Sequence, residues 1–312
     1  METVEKIMIS SDRLFALISP KGGELVSLKL REDRRGAREL IWQGRSEGYD
    51  PDVSGQCWEG HSPNLFPVCG RLFGGVHQGS DGKEYGMPLH GFLQSLEPLG
   101  TGISGNSATF IFCSGPDTRK YYPYGFCLFL THSVRENVYS LSVTVVNTGD
   151  EEMPFSWGGH PGFSLPLEDG LAFEDYCLEL GEGSVPRRIG ITPRGFRDGK
   201  TYPVDMEDGR ILRLSHRLFD EEGIFLRGVG GSVTLRPYSG RGRTVTLRAP
   251  GCPVFGFWHD AGLPVPYVCI EPWHGSPDAE IPGCSLRTKD DMIKLAPGCC
   301  YTGGYEIEVG NV

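Results

Sequence analysis

The chain has 312 residues, 38% hydrophobic and 22% charged, which is a globular composition and enough length to bury a core without metal or disulfide staples. Its formal charge of −10 opposes nonspecific binding to nucleic acid, which needs clustered cations. No run of about 18 apolar residues offers a membrane span, and the start Met1-Glu2-Thr3-Val4-Glu5-Lys6 lacks the basic and apolar parts of a signal peptide.

Along the chain, 45 glycines and 23 prolines are spread evenly, a punctuation that suits many short strands joined by turns. Period-2 alternation predicts strands at Leu14–Ser19, Leu25–Leu30, Ala108–Cys113, Phe126–Ser133 and Val138–Val146. Arg135-Glu136-Asn137 reads as a hairpin turn between the last two. Further strands are expected at Tyr176–Leu180, Ile224–Arg227, Val233–Arg236, Val245–Arg248, Val254–Trp258, Val265–Ile270 and Tyr305–Val309. No stretch carries a helical stripe over three turns, so the expected fold class is all-β, a large antiparallel sandwich forming one domain over residues 1–312. Two basic clusters, Arg31, Arg34, Arg35 and Arg38, then Arg187, Arg188, Arg194 and Arg197, lie among turn residues and read as solvated loops. The ten cysteines show no CxxC spacing, and Cys127, Cys177 and Cys269 lie inside apolar runs. Buried reduced thiols, and hence a cytoplasmic location, are the expectation.

Three segments place a polar group where packing is expected, and a fourth is an apolar loop that closes on a cation. Asn64-Leu65-Phe66-Pro67-Val68-Cys69-Gly70-Arg71 is apolar and closes on a guanidinium, suited to a carboxylate or a hydroxyl-rich ligand. Met87-Pro88-Leu89-His90-Gly91-Phe92 sets a histidine in a loop beside a glycine. Trp157-Gly158-Gly159-His160-Pro161-Gly162-Phe163 holds His160 between small residues and a stiff proline, which fixes a tautomer and presents one ring nitrogen. In Tyr267-Val268-Cys269-Ile270-Glu271-Pro272-Trp273, Glu271 alternates with Cys269 and Tyr267, so its carboxyl should be at least partly buried. Pro272 suggests that Glu271 ends its strand, and Trp273 offers a flat face to the C–H side of a sugar ring. The competing reading is structural for each: a core-paired carboxylate, two satisfied histidines and an arginine on a neighbouring acid. Metal spacing (HxH, HExxH, HxxxH) and a GxxxxGK[ST] loop are missing, and no GxGxxG follows an expected strand, so neither metal nor cofactor is expected. Cys299-Cys300 reads as an unreactive vicinal pair in a turn.

Together these segments resemble the aldose 1-epimerase (mutarotase) family, in its LacX-like branch. The matching stretches run Leu65–Leu72, Met87–Phe92, Gly158–Phe163 and Cys269–Trp273, in family order, about 20, 70 and 110 residues apart. The resemblance implies a twisted β-sandwich with a concave cleft and a small sugar as partner, with no nucleic acid or membrane. It implies His160 as general acid at the ring oxygen and Glu271 as general base at the C1 hydroxyl, several ångströms apart on opposite sides of the ring. Arg71 and His90 would hold sugar oxygens. Asp220 is the nearest match to a further acidic substrate contact, with Glu222 as the alternative. Where relatives carry a basic residue after His-Gly-Phe, this chain has Leu93-Gln94, which weakens a sugar-phosphate reading. Besides a mutarotase, the sequence admits a hexose-6-phosphate 1-epimerase and a non-catalytic sugar-binding protein. A glycosidase needs a second carboxylate facing Glu271, for which Asp260 and Asp278 are the nearby candidates.

Overall fold

Nearly every strand of the computed structural model follows from alternation that buries one side-chain face; residues 5–31, 38–44, 57–221, 223–281 and 285–311 are described. In Phe126–Arg135 and Val138–Asn147, buried and half-exposed positions alternate along ten residues each. They pair around a turn at Glu136 and Asn137, with Glu136 taking a left-handed φ of 52°. These strands sit within a nine-stranded antiparallel sheet. Its order is Ile211–Arg213, Tyr176–Leu180, Ser232–Pro237, Arg243–Arg248, Cys300–Asn311, Val138–Asn147, Phe126–Arg135, Ser107–Cys113 and Gly100–Ser104.

A second antiparallel sheet positions the site. It runs Arg197–Pro203, Arg187–Ile191, Ile224–Arg227, Val254–Trp258, Tyr267–His274, Trp157–Gly159 and Asn64–Leu65, with Gly162–Ser164 also on Tyr267–His274. One continuous apolar cluster draws residues from both sheets, from Ile9 through Leu141 and Phe257 to Val309, so the core lies between them. Tyr267–His274 is buried at every position but the last, because neighbours cover both its edges and both its faces. The one α-helix among the described residues is Pro116–Arg119, and no helix is long and apolar enough to cross a membrane.

Three local expectations need correction. Glu271 does not end its strand: the ladder to Val254–Trp258 continues through Pro272 and Trp273, and His274 pairs with Trp157 on the other side. Proline is tolerated there because Ile270 N–H points at Pro161 O, so position 272, of the same parity, points its missing N–H into the gap between Trp157–Gly159 and Gly162–Ser164. Cys127 is not a free thiol; it lies directly across from Cys113 in the ladder and is joined to it by a disulfide. Arg187, Arg188 and Arg197 lie on strands rather than in loops, in the hairpin that ends the second sheet, and Arg197 turns inward to Asp290 and Asp291. Arg34 and Arg35 fall outside the described residues.

Candidate active site

The second sheet is interrupted where the Gly159–Gly162 turn leaves one neighbour of Tyr267–His274 and rejoins as the next. His160 sits in that interruption, its N–H bonded to Pro63 O at 3.0 Å. Gly158 and Gly159 make room for packing rather than for a ligand. A Cβ on Gly158 would lie 2.8 Å from the Trp273 indole, and one on Gly159 would lie 2.6 Å from the Tyr305 ring. Glu271 faces the same gap from the central strand. Its Oε2 stands 3.2 Å from His160 Nε2. The expectation that acid and base share a cleft matches this geometry, whereas the expected separation of several ångströms does not. The two side chains touch because Gly162 pairs with Cys269 and draws the histidine turn onto the strand.

Both groups are deeply buried, His160 at 8% exposure and Glu271 at 1%. Burial holds Glu271 well above the ordinary carboxylate range, opposed in part by the Trp273 indole N–H. Burial also pushes His160 down to about 4. The neutral forms are thus favoured, and a pair in contact holds one proton between its members. The contact lacks hydrogen-bond geometry, and Glu271 Oε2, His160 Nδ1 and Trp273 Nε1 have no hydrogen-bond partner among the described residues. Buried polar atoms that stay unmatched in a cavity mark places a polar ligand would satisfy.

The cavity measures about 370 Å³, and Arg71, His90, His160, Glu271 and Trp273 all line it. His90 is held at a left-handed φ of 62°. Gly91 follows at φ 79°, where a Cβ would strike Phe66 O. Nδ1 of His90 accepts the Gly70 N–H at 3.1 Å, so the neutral ring carries its proton on Nε2. Burial, then His160 and Arg71, keep His90 uncharged. Its ring is 5.4 Å from those of His160 and Trp273. The Arg71 guanidinium lies along the Arg194–Gly195 backbone at the cavity's exposed side.

Asp220 does not join them. It lies exposed at the end of the 3-10 turn His216–Phe219, which buries Phe219 in the core, and its electrostatic neighbours are His216 and His259. Glu222 lies outside the described residues, although its neighbour Gly223 lines the cavity. Neither glycosidase candidate faces Glu271 as a free acid. Asp260 accepts from Trp58 N–H and the Tyr267 hydroxyl, and Asp278 accepts from Phe73 N–H and Ala279 N–H.

Trp273 is only 2% exposed, so it is more a floor of the cavity than an open platform. The accessible aromatic faces belong to Trp58, Trp258 and Phe225, which the sequence reading passed over. Trp258 carried a signal, as the last residue of an apolar strand beside Asp260. Trp58, in Cys57-Trp58-Glu59-Gly60, had only its glycine neighbour to recommend it.

One ligand atom each from His160, Cys269 and Glu271 lies within 4.8 Å of the others, the spacing of a possible cation site. The donor chemistry fits a metal poorly. A cysteine ligand must give up its proton, and burial together with the Glu271 charge pushes the Cys269 thiol well above its ordinary value.

Comparison with known proteins agrees with this geometry. A family model described as aldose 1-epimerase matches residues 5–282. The chromosomal LacX protein of Lactococcus lactis subsp. lactis is 29% identical, covering 98% of this chain and 99% of its own. The crystal structure of a galactose mutarotase related enzyme from Lactobacillus acidophilus superposes with a TM-score of 0.88 at 27% identity, covering 98% of this chain and 97% of that one. A galactose mutarotase-like protein from Lactobacillus casei gives the same TM-score at 26% identity, over 98% and 100% of the two chains. On the match over most of its length, this chain belongs to the aldose 1-epimerase family.

Proposed function

We propose that the chain is a cofactor-independent aldose 1-epimerase that interconverts the α and β anomers of an unphosphorylated aldose, using His160 and Glu271 as its proton-transfer pair. The observation that carries this reading is the 3.2 Å contact between an imidazole and a carboxyl with unmatched polar atoms in a shared cavity. Binding alone has no need of a matched proton donor and acceptor.

Ring opening moves two protons on neighbouring oxygens. The C1 hydroxyl loses its proton, the C1–O5 bond breaks, and O5 gains a proton, leaving an open-chain aldehyde. Rotation about C1–C2 and the reverse transfers give the other anomer. Both oxygens are bonded to C1, so a base and an acid that stand side by side can reach both. Sugar hydroxyls donating to Glu271 favour its charged form and move the shared proton to His160. Glu271 is then the base at O1 and His160 the acid at O5. His90 Nε2–H and Arg71 donate to further sugar oxygens. Asp220 has no part in this reading.

The preference for an unphosphorylated sugar rests on Arg71 being the one cationic side chain that lines the cavity among the described residues, with Gln94 close by. The test is polarimetry of freshly dissolved D-galactose and D-glucose with purified protein. Faster decay of optical rotation, lost on Glu271→Gln, supports the reading. Sugar binding without faster decay would favour a binding protein.

A further inference from the structure

Asp260, which the sequence offers only as a candidate second carboxylate, is tied by the structure to the aromatic wall beside His160. Asp260 Oδ2 accepts the Trp58 N–H at 2.8 Å and the Tyr267 hydroxyl at 2.6 Å. On its other side, Trp58 O accepts the Trp42 indole N–H at 2.8 Å, and Trp42 stacks on Tyr267 at 4.7 Å. Both backbone polar groups of Trp58 are therefore tied to buried rings, directly or through one carboxylate. Glycines clear a berth for its indole: a Cβ on Gly60 would lie 2.4 Å from that ring, and one on Gly162 2.8 Å. So held, the indole lies 4.9 Å from the His160 ring and packs edge-on against Trp258 at 5.8 Å. An ordinary surface tryptophan has no such clamp. Its accessible face lines the cavity, whereas Trp273 is closed in.

We infer that Trp58 is the sugar-stacking wall of the site and shields His160 from water, and that Asp260 is a positioning residue that acts through it. The inference rests on the mutarotase reading and names the part of the site that selects a ring with an apolar C–H face. An indole suits that role, because it offers a broad flat surface with little rotamer freedom to lose. Removing the wall admits water to His160 and weakens the desolvation that suppresses its charged form. The ionisable groups around that ring are Glu271, Cys269 and His90; the hydrogen bonds of Asp260 go to Trp58 and Tyr267, and of these three groups its charge acts on the Cys269 thiol.

The experiment measures KM, kcat, the acid limb of the rate profile and calorimetric binding of D-galactose for Trp58→Ala, Trp58→Phe, Asp260→Ala and the double variant. Trp58→Ala should raise KM and the dissociation constant roughly tenfold, about the worth of one aromatic contact. Its acid limb should move from about 4 toward the ordinary imidazole value of 6.5. Trp58→Phe should restore most of both. Asp260→Ala should shift both in the same direction, and adding it to Trp58→Ala should cost nothing more, because its effect passes through the ring already removed. Asp260→Asn, which keeps the shape and one acceptor, replaces the alanine variant if that one fails to fold. Unchanged KM and acid limb in a folded Trp58→Ala protein would overturn the inference, as would additive losses in the double variant. Both results leave the mutarotase reading standing. A wild-type protein that neither binds nor mutarotates the sugar overturns that reading and this inference with it.

Discussion

Nε2 of His160 stands 3.2 Å from Oε2 of Glu271, and neither residue is more than 8% exposed. A buried imidazole and carboxyl at that separation behave as one titrating unit. Removing either member leaves one proton site where two are needed. Glu271→Gln and His160→Asn should each lower kcat by about 10²–10⁴-fold, with KM little changed. Polarimetric rates at saturating sugar, with circular dichroism to confirm the fold, measure this. Wild-type kcat in a folded Glu271→Gln protein would remove the pair from the mechanism.

The pH profile follows from the same burial. His160 is shifted down to about 4, so its neutral form persists well below the ordinary imidazole range. Beneath that point the pair gains a second proton, no base remains, and the rate falls. Glu271 is shifted up, so the pair keeps its working proton above the ordinary carboxylate range. When rising pH removes that proton, no acid remains, and the rate falls again. A bell whose acid limb lies near 4 is expected; a limb at the usual imidazole value would show that His160 is solvated.

Stability should move opposite to activity at Glu271. A carboxyl whose folded pKa is raised contributes stability that is fully present below its unfolded value of 4.5 and is lost as pH rises toward the folded pKa. Glutamine has no proton to lose. Glu271→Gln should therefore melt at a higher temperature than wild type at pH 8, and the gain should shrink as pH approaches 4.5. Scanning calorimetry at both pH values decides it.

Much of this architecture is legible because alternation reports burial directly. Tyr176–Leu180, Ile224–Arg227 and Val254–Trp258 match their expected bounds residue for residue. Three of the strands passed over show the physical reasons. Gly162–Ser164 and Trp157–Gly159 are too short to show a period, and Arg197–Pro203 is solvent-facing at the sheet's end, with no buried face to alternate. At the site, His160, Glu271, His90 and Arg71 stood out as polar groups beside apolar or glycine-rich runs, and the fold brings all four to one cavity. Asp220 is the nearest sequence match to a family pattern, but its local turn buries the apolar neighbour Phe219 in the core and leaves the carboxylate in water. Trp58 depends on partners 16 and 202 positions away, a relation that no local pattern encodes.

Trp273→Ala should act on folding as well as on binding. The ring is 2% exposed, packs 5.0 Å from Phe225 and 5.4 Å from His90, and fills space that Gly158 leaves clear. Truncating a buried tryptophan costs about 3–5 kcal/mol. Loss of its indole N–H also removes a group that favours charged Glu271. A lowered denaturation midpoint together with raised KM is expected; raised KM with unchanged stability would restore the view of Trp273 as an open platform.

Chelation should leave mutarotation unaffected. The three residues that come close to a cation geometry include Cys269, whose thiol burial holds in its protonated form. Rates before and after EDTA treatment test this, and loss of activity restored by zinc would show that the trio is a metal centre.

The substrate's charge is the last expectation, and Arg71 carries it. A phosphorylated sugar brings close to two negative charges into a chain whose net charge is already −10. Holding a phosphate calls for two or more cationic or backbone donors at one end of the cavity. Arg71 is the sole cation among the described lining residues, and its guanidinium lies over Gly195, near Arg194 O. Gln94 lines the cavity as a neutral amide and turns its nitrogen toward Leu89 O. D-glucose 6-phosphate should therefore give kcat/KM at least tenfold below that of D-glucose. Gln94→Arg should narrow the gap, and should do so less at high salt, where exposed charges are screened. Polarimetry with both sugars on wild type and Gln94→Arg measures the ratio. If wild type prefers the phosphorylated sugar, Arg71 is a phosphate ligand and the preference for an unphosphorylated sugar is wrong.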